Sequence, residues 1–286
     1  MNNKKPNFYV LGASGFMGAQ FVEYLKQNNY EVFSEKIDIT DFFTLKKKFK
    51  EIKPDVVVNF AGVRAYPTVD WCETHREETV AINVVGATNV ALAALEASSY
   101  PIQIASGCIY SGTAETLFSE EDEPNFFGSF YSRMRVAMQM ILKELPVLQL
   151  RIRMPISMYS HPRNLINKII SYQKVISLPN SATLIEDMFP AIVQLAEIRP
   201  VGILNLVNDN YITNDQILRA YKEIVDPNHQ YESISLDEFY QNIVVAKRSN
   251  CVLSNQKAKG LGIEMPEIDE KRLREIMKTY RESLKK

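Results

Sequence analysis

The 286 residues, 46% hydrophobic and 23% charged, suffice for one large core or for a full domain plus a smaller lobe sharing a cleft, and they exclude a disordered or fibrous chain. A formal net charge of -1 with three scattered histidines offers no basic field for a phosphate backbone, so nucleic acid is not an expected partner. No apolar run approaches the roughly 18 to 20 residues of a membrane span, and Met1–Pro6 leads into a short strand, so a cytoplasmic protein without a membrane partner is expected.

The elements alternate from the start. Short apolar runs predict strands at Phe8–Leu11, Glu31–Phe33, Val56–Phe60 and Ile102–Ser106, with amphipathic helices at 15–28, 41–51, 72–98 and 128–144. That rhythm is the pattern of an α/β domain built on a parallel sheet, here over residues 1–155, with strands at Val147–Ile152 and Gly202–Val207 continuing it. Pro155, Pro162, Pro179 and Pro190 then break the chain into short pieces, which marks 156–286 as mainly a smaller lobe, with the sheet completed by about 190–225. Glu270–Lys286 reads as a solvated amphipathic helix. Cys72, Cys108 and Cys251 are odd in number and widely spaced, which fits reduced thiols and neither a disulfide framework nor a metal site.

The first strand runs into Gly12-Ala13-Ser14-Gly15-Phe16-Met17-Gly18, a G-x-x-G-x-x-G turn opening a helix. Glycines at this spacing allow a tight turn, a close approach to a pyrophosphate and close helix packing, with the helix N-terminus facing the anion. The expected fold is therefore a Rossmann-type, doubly wound parallel sheet with a smaller C-terminal lobe. Candidate cofactor contacts are Gly12, Ser14, Gly15, Phe16, Met17 and Gly18, then Asp38 and Ile39, then Asn59, Ala61 and Gly62. The second strand ends Phe33-Ser34-Glu35-Lys36: an acid there suits the ribose of NAD, whereas Ser34 and Lys36 suit a 2′-phosphate. NADP(H) is favoured, with NAD(H) left open.

The glycine turn, Asp38, Asn59–Gly62, Asn83–Asn89, Ser106 four residues before Tyr110, and Tyr131 together resemble the extended short-chain dehydrogenases that modify nucleotide sugars. Gly62-Val63, Val69–Glu73, Gly107-Cys108-Ile109, Pro124–Ser132, Arg151–Ser157 and Pro162-Arg163-Asn164 are similar to one branch of them, the bifunctional nucleotide-4-keto-6-deoxyglucose 3,5-epimerase/4-reductases. The resemblance implies conversion of UDP-4-keto-6-deoxy-D-glucose, or its dTDP counterpart, to the L-rhamnose form. It implies that Ser106 holds the carbonyl oxygen, that Tyr131 donates a proton to it, and that a lysine four residues after the tyrosine binds the nicotinamide ribose. Arg135 stands in that lysine's place. It keeps a positive charge and hydrogen-bond donors but cannot give up a proton at neutral pH.

For the epimerisations the resemblance points to Cys108 as the base, with Lys174, partly desolvated, as the acid on the opposite face and His161 as its rival. A thiol suits this role because nearby positive charge moves its ordinary pKa of about 8.5 towards neutral. Val63, Asn83, Arg163, Asn164, Arg248 and Asn250 are the candidate contacts to the nucleotide sugar. A homodimer paired through the helices at 72–98 and 128–144 is also implied. Two rival readings stay open: a 4-keto reductase alone, and a catalytically silent NADP-binding regulatory subunit, which Arg135 favours.

Overall fold

A computed structural model describes residues 5–63, 68–242 and 245–285. The strands are β1 (Phe8–Leu11), β2 (Val32–Phe33), β3 (Val56–Asn59), β4 (Tyr100–Ser106), β5 (Leu117–Phe118), β6 (Leu148–Ile152), β7 (Pro155–Ile156), β8 (Lys174–Ile176), β9 (Thr183–Leu184), β10 (Gly202–Asn205), β11 (Glu232–Ile234) and β12 (Val252–Leu253). The helices are α1 (Phe16–Gln27), α2 (Phe42–Ile52), α3 (Trp71–Thr74), α4 (Arg76–Val80), α5 (Ala87–Glu96), α6 (Phe130–Lys143), α7 (Leu165–Ile169), α8 (Ile185–Ile198), α9 (Asn214–Ile224), α10 (Leu236–Asn242), α11 (Gln256–Gly260) and α12 (Glu270–Ser283).

Six strands form one parallel sheet in the order β10-β6-β4-β3-β1-β2. Strand order reverses between β1 and β3, the point where a sheet of this kind opens a crevice at its carboxyl edge. Side-chain alternation along β1 sends Phe8 and Val10 into a core with α1 and α8, and Tyr9 and Leu11 into a core with α2 and α5. Both faces are thus covered by helices, as the Rossmann-type expectation requires. Register sets Leu11 level with Asn59 and Ser106 level with Ile152, so the turns after β1, β3 and β4 open side by side. A separate core around Ile156, Ile166, Leu184, Ile217, Leu273 and Tyr280 joins α7, α9 and α12.

The predicted helix at 72–98 is broken in the structure. His75 takes a non-helical conformation between α3 and α4, stacking on Trp71 at 3.9 Å, and Ala81–Gly86 winds as a π-helical stretch that leads into α5. Such stretches cluster at functional sites, and this one carries Asn83. The expectation that no apolar run approaches a membrane span needs correction here: Arg76–Glu96 is long and apolar enough to cross one by length and composition. Its inner face is buried against β4 and α6, as a core helix requires. Val85 and Leu92 on this span, with Met140 and Ile141 on α6, stay exposed.

Candidate active site

The turn after β1 is shaped by its glycines. Gly12 sits at φ +72, and a Cβ there would lie 2.5 Å from Ala61 N and 2.7 Å from Phe60 C, so the turns after β1 and β3 touch backbone to backbone. A Cβ on Gly18 would strike the Gly12 carbonyl, which presses α1 onto the turn. Gly15 caps α1 with no side-chain hydrogen bond and no acid in the first turn. The helix N-terminus therefore presents open N–H groups to the crevice, which suits a pyrophosphate. Ser14 is exposed on this turn, Met17 packs against the core behind it, and Phe16 is buried, its ring stacked on His161 at 4.7 Å.

After β2, Glu35 is engaged by Lys48, whereas Lys36 is exposed with no ion pair among the described residues and Ser34 is half-buried. Asp38 accepts from the Thr40 N–H at 2.9 Å and from its hydroxyl at 2.8 Å, forming a local turn, and Ile39 is buried against Gly86. Asn59 is buried too: it donates to Gln103 and accepts from the Ala61 N–H at 2.9 Å, fixing the turn that carries Ala61 and Gly62. Asn83 grips the Val63 backbone at both ends, accepting at 2.8 Å and donating at 2.7 Å. In the structure Asn59 and Asn83 hold the loops after β3.

Tyr131 and Arg135 lie in the first turns of α6. Ser129 caps that helix by accepting from the Ser132 N–H, and Glu73 accepts from the Phe130 N–H at 2.6 Å. The Arg135 guanidinium lies 5.1 Å from the Tyr131 ring centre. Its Nη2 stands 2.8 Å from where a Cβ on Gly62 would be, and its buried Nε has no hydrogen-bond partner. A buried cation with an unmet donor against the Gly62 turn fits a ribose that supplies acceptor oxygens. Together with the glycine cradle, these residues fit a nicotinamide dinucleotide.

At the end of β4, Ser106 Oγ accepts from the Cys108 N–H at 3.1 Å, leaving its own proton free to donate. Cys108 is half-buried and receives a hydrogen bond from Arg153 Nη1 at 2.6 Å. Arg153 is itself buried and donates to Asn180 Oδ1 from Nε at 3.1 Å and from Nη2 at 2.5 Å, and to the Ser249 carbonyl. Burial alone would lower its pKa; Cys108, Cys251 and Tyr131 around it outweigh that and leave it raised. Arg153 and Asn180 were not singled out from the sequence, although Arg153 lies inside the Arg151–Ser157 stretch that carried the resemblance.

Lys174 departs from expectation. It is exposed at the head of β8, 2.7 Å from Glu238 and 3.7 Å from Glu232, and these carboxylates raise its pKa where desolvation would have lowered it. His161 faces the glycine turn: its Nδ1 accepts from the Arg163 N–H at 3.0 Å, and burial followed by the nearby Arg163 charge keeps the ring neutral at lower pH than usual. Asn164 is fully buried and spends its amide on Ser157 and Tyr159 and on capping α7. Arg248 is also spent, clasping Asp70 through two bonds of 3.0 Å and 2.7 Å. Burial disfavours the Asp70 charge, but the bonds from Arg248, Thr68 and Ala246 prevail and hold its carboxyl well below the usual range. Asn250 accepts from Asn180 at 3.1 Å and thereby backs the Arg153 clamp. Of the substrate set, the Arg163 side chain is the exposed cation.

Similarity to known proteins extends over nearly the whole chain. A bifunctional dTDP-4-dehydrorhamnose 3,5-epimerase/dTDP-4-dehydrorhamnose reductase of Arabidopsis thaliana is 34% identical over 273 residues, 92% of this chain and 88% of that one. A trifunctional UDP-glucose 4,6-dehydratase/UDP-4-keto-6-deoxy-D-glucose 3,5-epimerase/UDP-4-keto-L-rhamnose-reductase of the same plant is 34% identical over 269 residues, and the match spans only 40% of its length. The crystal structure of the L780 UDP-rhamnose synthase of Acanthamoeba polyphaga mimivirus superposes with a TM-score of 0.90 at 30% identity, covering 96% of this chain and all of the other. With residues 7–281 matching its pattern, the chain belongs to the RmlD substrate binding domain family.

Proposed function

We propose that this protein converts UDP-4-keto-6-deoxy-D-glucose to UDP-L-rhamnose, inverting carbons 3 and 5 and then reducing carbon 4 with NADPH. The observation that carries the reading is the cluster at the carboxyl edge of β4 and the start of α6. Ser106, Cys108 and Tyr131 meet there around Arg153, with Arg135 on the cofactor side.

Ser106 and Tyr131 hold the oxygen at carbon 4, which becomes enolate-like when an adjacent proton leaves. Cys108 removes that proton. The acid for the opposite face is Lys174 or solvent, and Lys174→Ala separates them: deuterium still enters with inverted configuration if solvent serves, and inversion stops if Lys174 does. NADPH, when bound, supplies the hydride for carbon 4. Tyr131 gives the oxygen its proton, while Arg135 holds the ribose side and stabilises tyrosinate without relaying a proton. Ser34 and Lys36, left available while Glu35 pairs with Lys48, support NADPH over NADH. UDP over dTDP rests on likeness to the viral UDP-rhamnose synthase, because one methyl changes binding by only about 1 to 3 kcal/mol. Val85, Leu92, Met140 and Ile141 form an exposed apolar face on two neighbouring helices, which supports a homodimer built through them.

The test is to incubate the protein with UDP-4-keto-6-deoxyglucose in heavy water, with and without NADPH, following the sugar by NMR. Deuterium at carbons 3 and 5, with UDP-rhamnose formed only when NADPH is present, is the expected result. NADPH oxidation without exchange would leave a reductase alone, and neither reaction would leave a silent subunit.

A further inference from the structure

Arg153 has a requirement that its carbonyl and amide partners do not meet. It is buried, and among the described residues it pairs with no carboxylate. A guanidinium held away from water needs a compensating negative charge. The groups able to carry one beside it are Cys108, Cys251 and Tyr131. Cys251 is excluded by its surroundings: it is fully buried, its thiol donates to the Gly107 carbonyl at 3.3 Å, and burial pushes its pKa up. Tyr131 lies on α6 and makes no hydrogen bond to the guanidinium. Cys108 alone receives one, from Nη1.

We propose that Arg153 is the counter-ion of Cys108, keeping its sulfur as a thiolate, and that Asn180 is the residue that fixes Arg153 in place. Asn180 does this with one oxygen that accepts from Nε and Nη2 and from the Cys251 N–H at 3.0 Å, while its amide group donates to the Leu178 carbonyl and to Asn250. Every hydrogen-bonding group of this side chain is used, and its oxygen holds the guanidinium that bonds Cys108. The inference deepens the epimerase reading and rests on Cys108 being its base. In the step it serves, the C–H bond beside the ketone breaks and an S–H bond forms. The electron pair passes into the enolate, whose oxygen Ser106 and Tyr131 hold, so the negative charge moves from sulfur to oxygen within reach of the same cation. Arg153 and Asn180 are positioning residues and touch no reacting carbon.

The experiment reads the thiolate directly, with no sugar present. Ultraviolet thiolate absorbance of the full chain is titrated from acid to mildly alkaline pH, and Cys108→Ser is subtracted to isolate one sulfur. Cys72 and Cys251 are buried and common to both proteins. The wild type is expected to show a thiolate band that folded Arg153→Met loses, together with about ten-fold of the iodoacetamide reactivity of Cys108. Arg153→Lys, which keeps a cation but not the planar fork, is expected to restore part of the band. Should Arg153→Met fail to fold, Asn180→Ala decides, since it leaves the charge and removes the clamp; its band is expected to fall by at least half. An undiminished band in either folded variant overturns the proposal. Absence of deuterium exchange in a protein with the band intact would instead remove the epimerase reading and leave the Arg153–Cys108 pair standing.

Discussion

Adding one methyl group at Gly62 tests whether the position of Arg135 governs reduction. The new Cβ would lie 2.8 Å from Arg135 Nη2 and 3.3 Å from Asn83 Oδ1. Regaining an ordinary contact of about 3.4 Å obliges the guanidinium to retreat by about 0.6 Å, a displacement of the order that costs catalysis ten- to a hundred-fold when geometry is critical. That is ~1.4 to 2.8 kcal/mol of barrier. The fold should tolerate it, because the obstructing atom is the far end of a flexible side chain and Gly62 is exposed. Gly18→Ala is the control of opposite character: its Cβ meets the Gly12 backbone, with the carbonyl carbon at 2.8 Å, so it should destabilise by about 1 to 3 kcal/mol. The assay pairs NADPH oxidation with the thermal midpoint. Gly62→Ala is expected to lose kcat at an unchanged midpoint, and Gly18→Ala to lower the midpoint. Wild-type kcat in Gly62→Ala would refute the view that Arg135 is held where the ribose binds.

Lys36→Ala should raise the KM for NADPH about ten-fold and leave that for NADH unchanged, as loss of one charge-assisted contact to a 2′-phosphate requires; equal effects on both would remove Lys36 from the site. Cys108→Ser should lose deuterium exchange while still reducing a sugar supplied already epimerised, and loss of both activities would count against separate roles for Cys108 and Tyr131. Asp70→Asn should destabilise the protein by ~1 to 2 kcal/mol after screening. The folded pKa of Asp70 lies below its unfolded value, so this contribution is present in full above about pH 4 and fades as pH falls further; a gap between wild type and variant that ignores pH would contradict it. Leu92→Glu with Met140→Glu should yield monomers by sedimentation if these exposed side chains pair with a second copy.

The fold was largely legible because its signals are local. The Phe8–Leu11 strand, the glycine turn and α1 follow one another within the first 27 residues, and the structure forms them almost where periodicity put them. The break at His75 and the π-helical stretch were not legible, since 72–98 keeps helical periodicity throughout, and the partner that Asn83 holds from the π-helical stretch, Val63, lies twenty residues earlier. The same limit applies at the site. Arg248 and Asn164 look like ligand-binding groups in the sequence, but what they do is settled by residues far away or buried: Asp70 lies 178 positions before Arg248. Lys174 could be placed by counting, yet counting does not reveal that Glu232 and Glu238 flank it.

Two arginines near Tyr131 bear differently on whether this chain is an active enzyme. Arg135, with its unmet Nε against the Gly62 turn, is explained by cofactor binding alone, and a silent NADP-binding subunit would need nothing more. Arg153 is not explained that way. It lies on the sheet edge beyond Tyr131, bonded to a cysteine, and a buried donor or charge left unmatched costs on the order of 1 to 3 kcal/mol or more. A chain that only bound a dinucleotide has no use for a charge there, and replacing buried ion pairs by apolar residues in other proteins is often neutral or stabilising. A buried cation facing Cys108 at the mouth of β4 is intelligible where sulfur must carry a charge, and that need arises in proton abstraction, not in cofactor binding or hydride transfer. The reading of Cys108 as base therefore rests on a feature that neither the reductase-only nor the silent-subunit account requires.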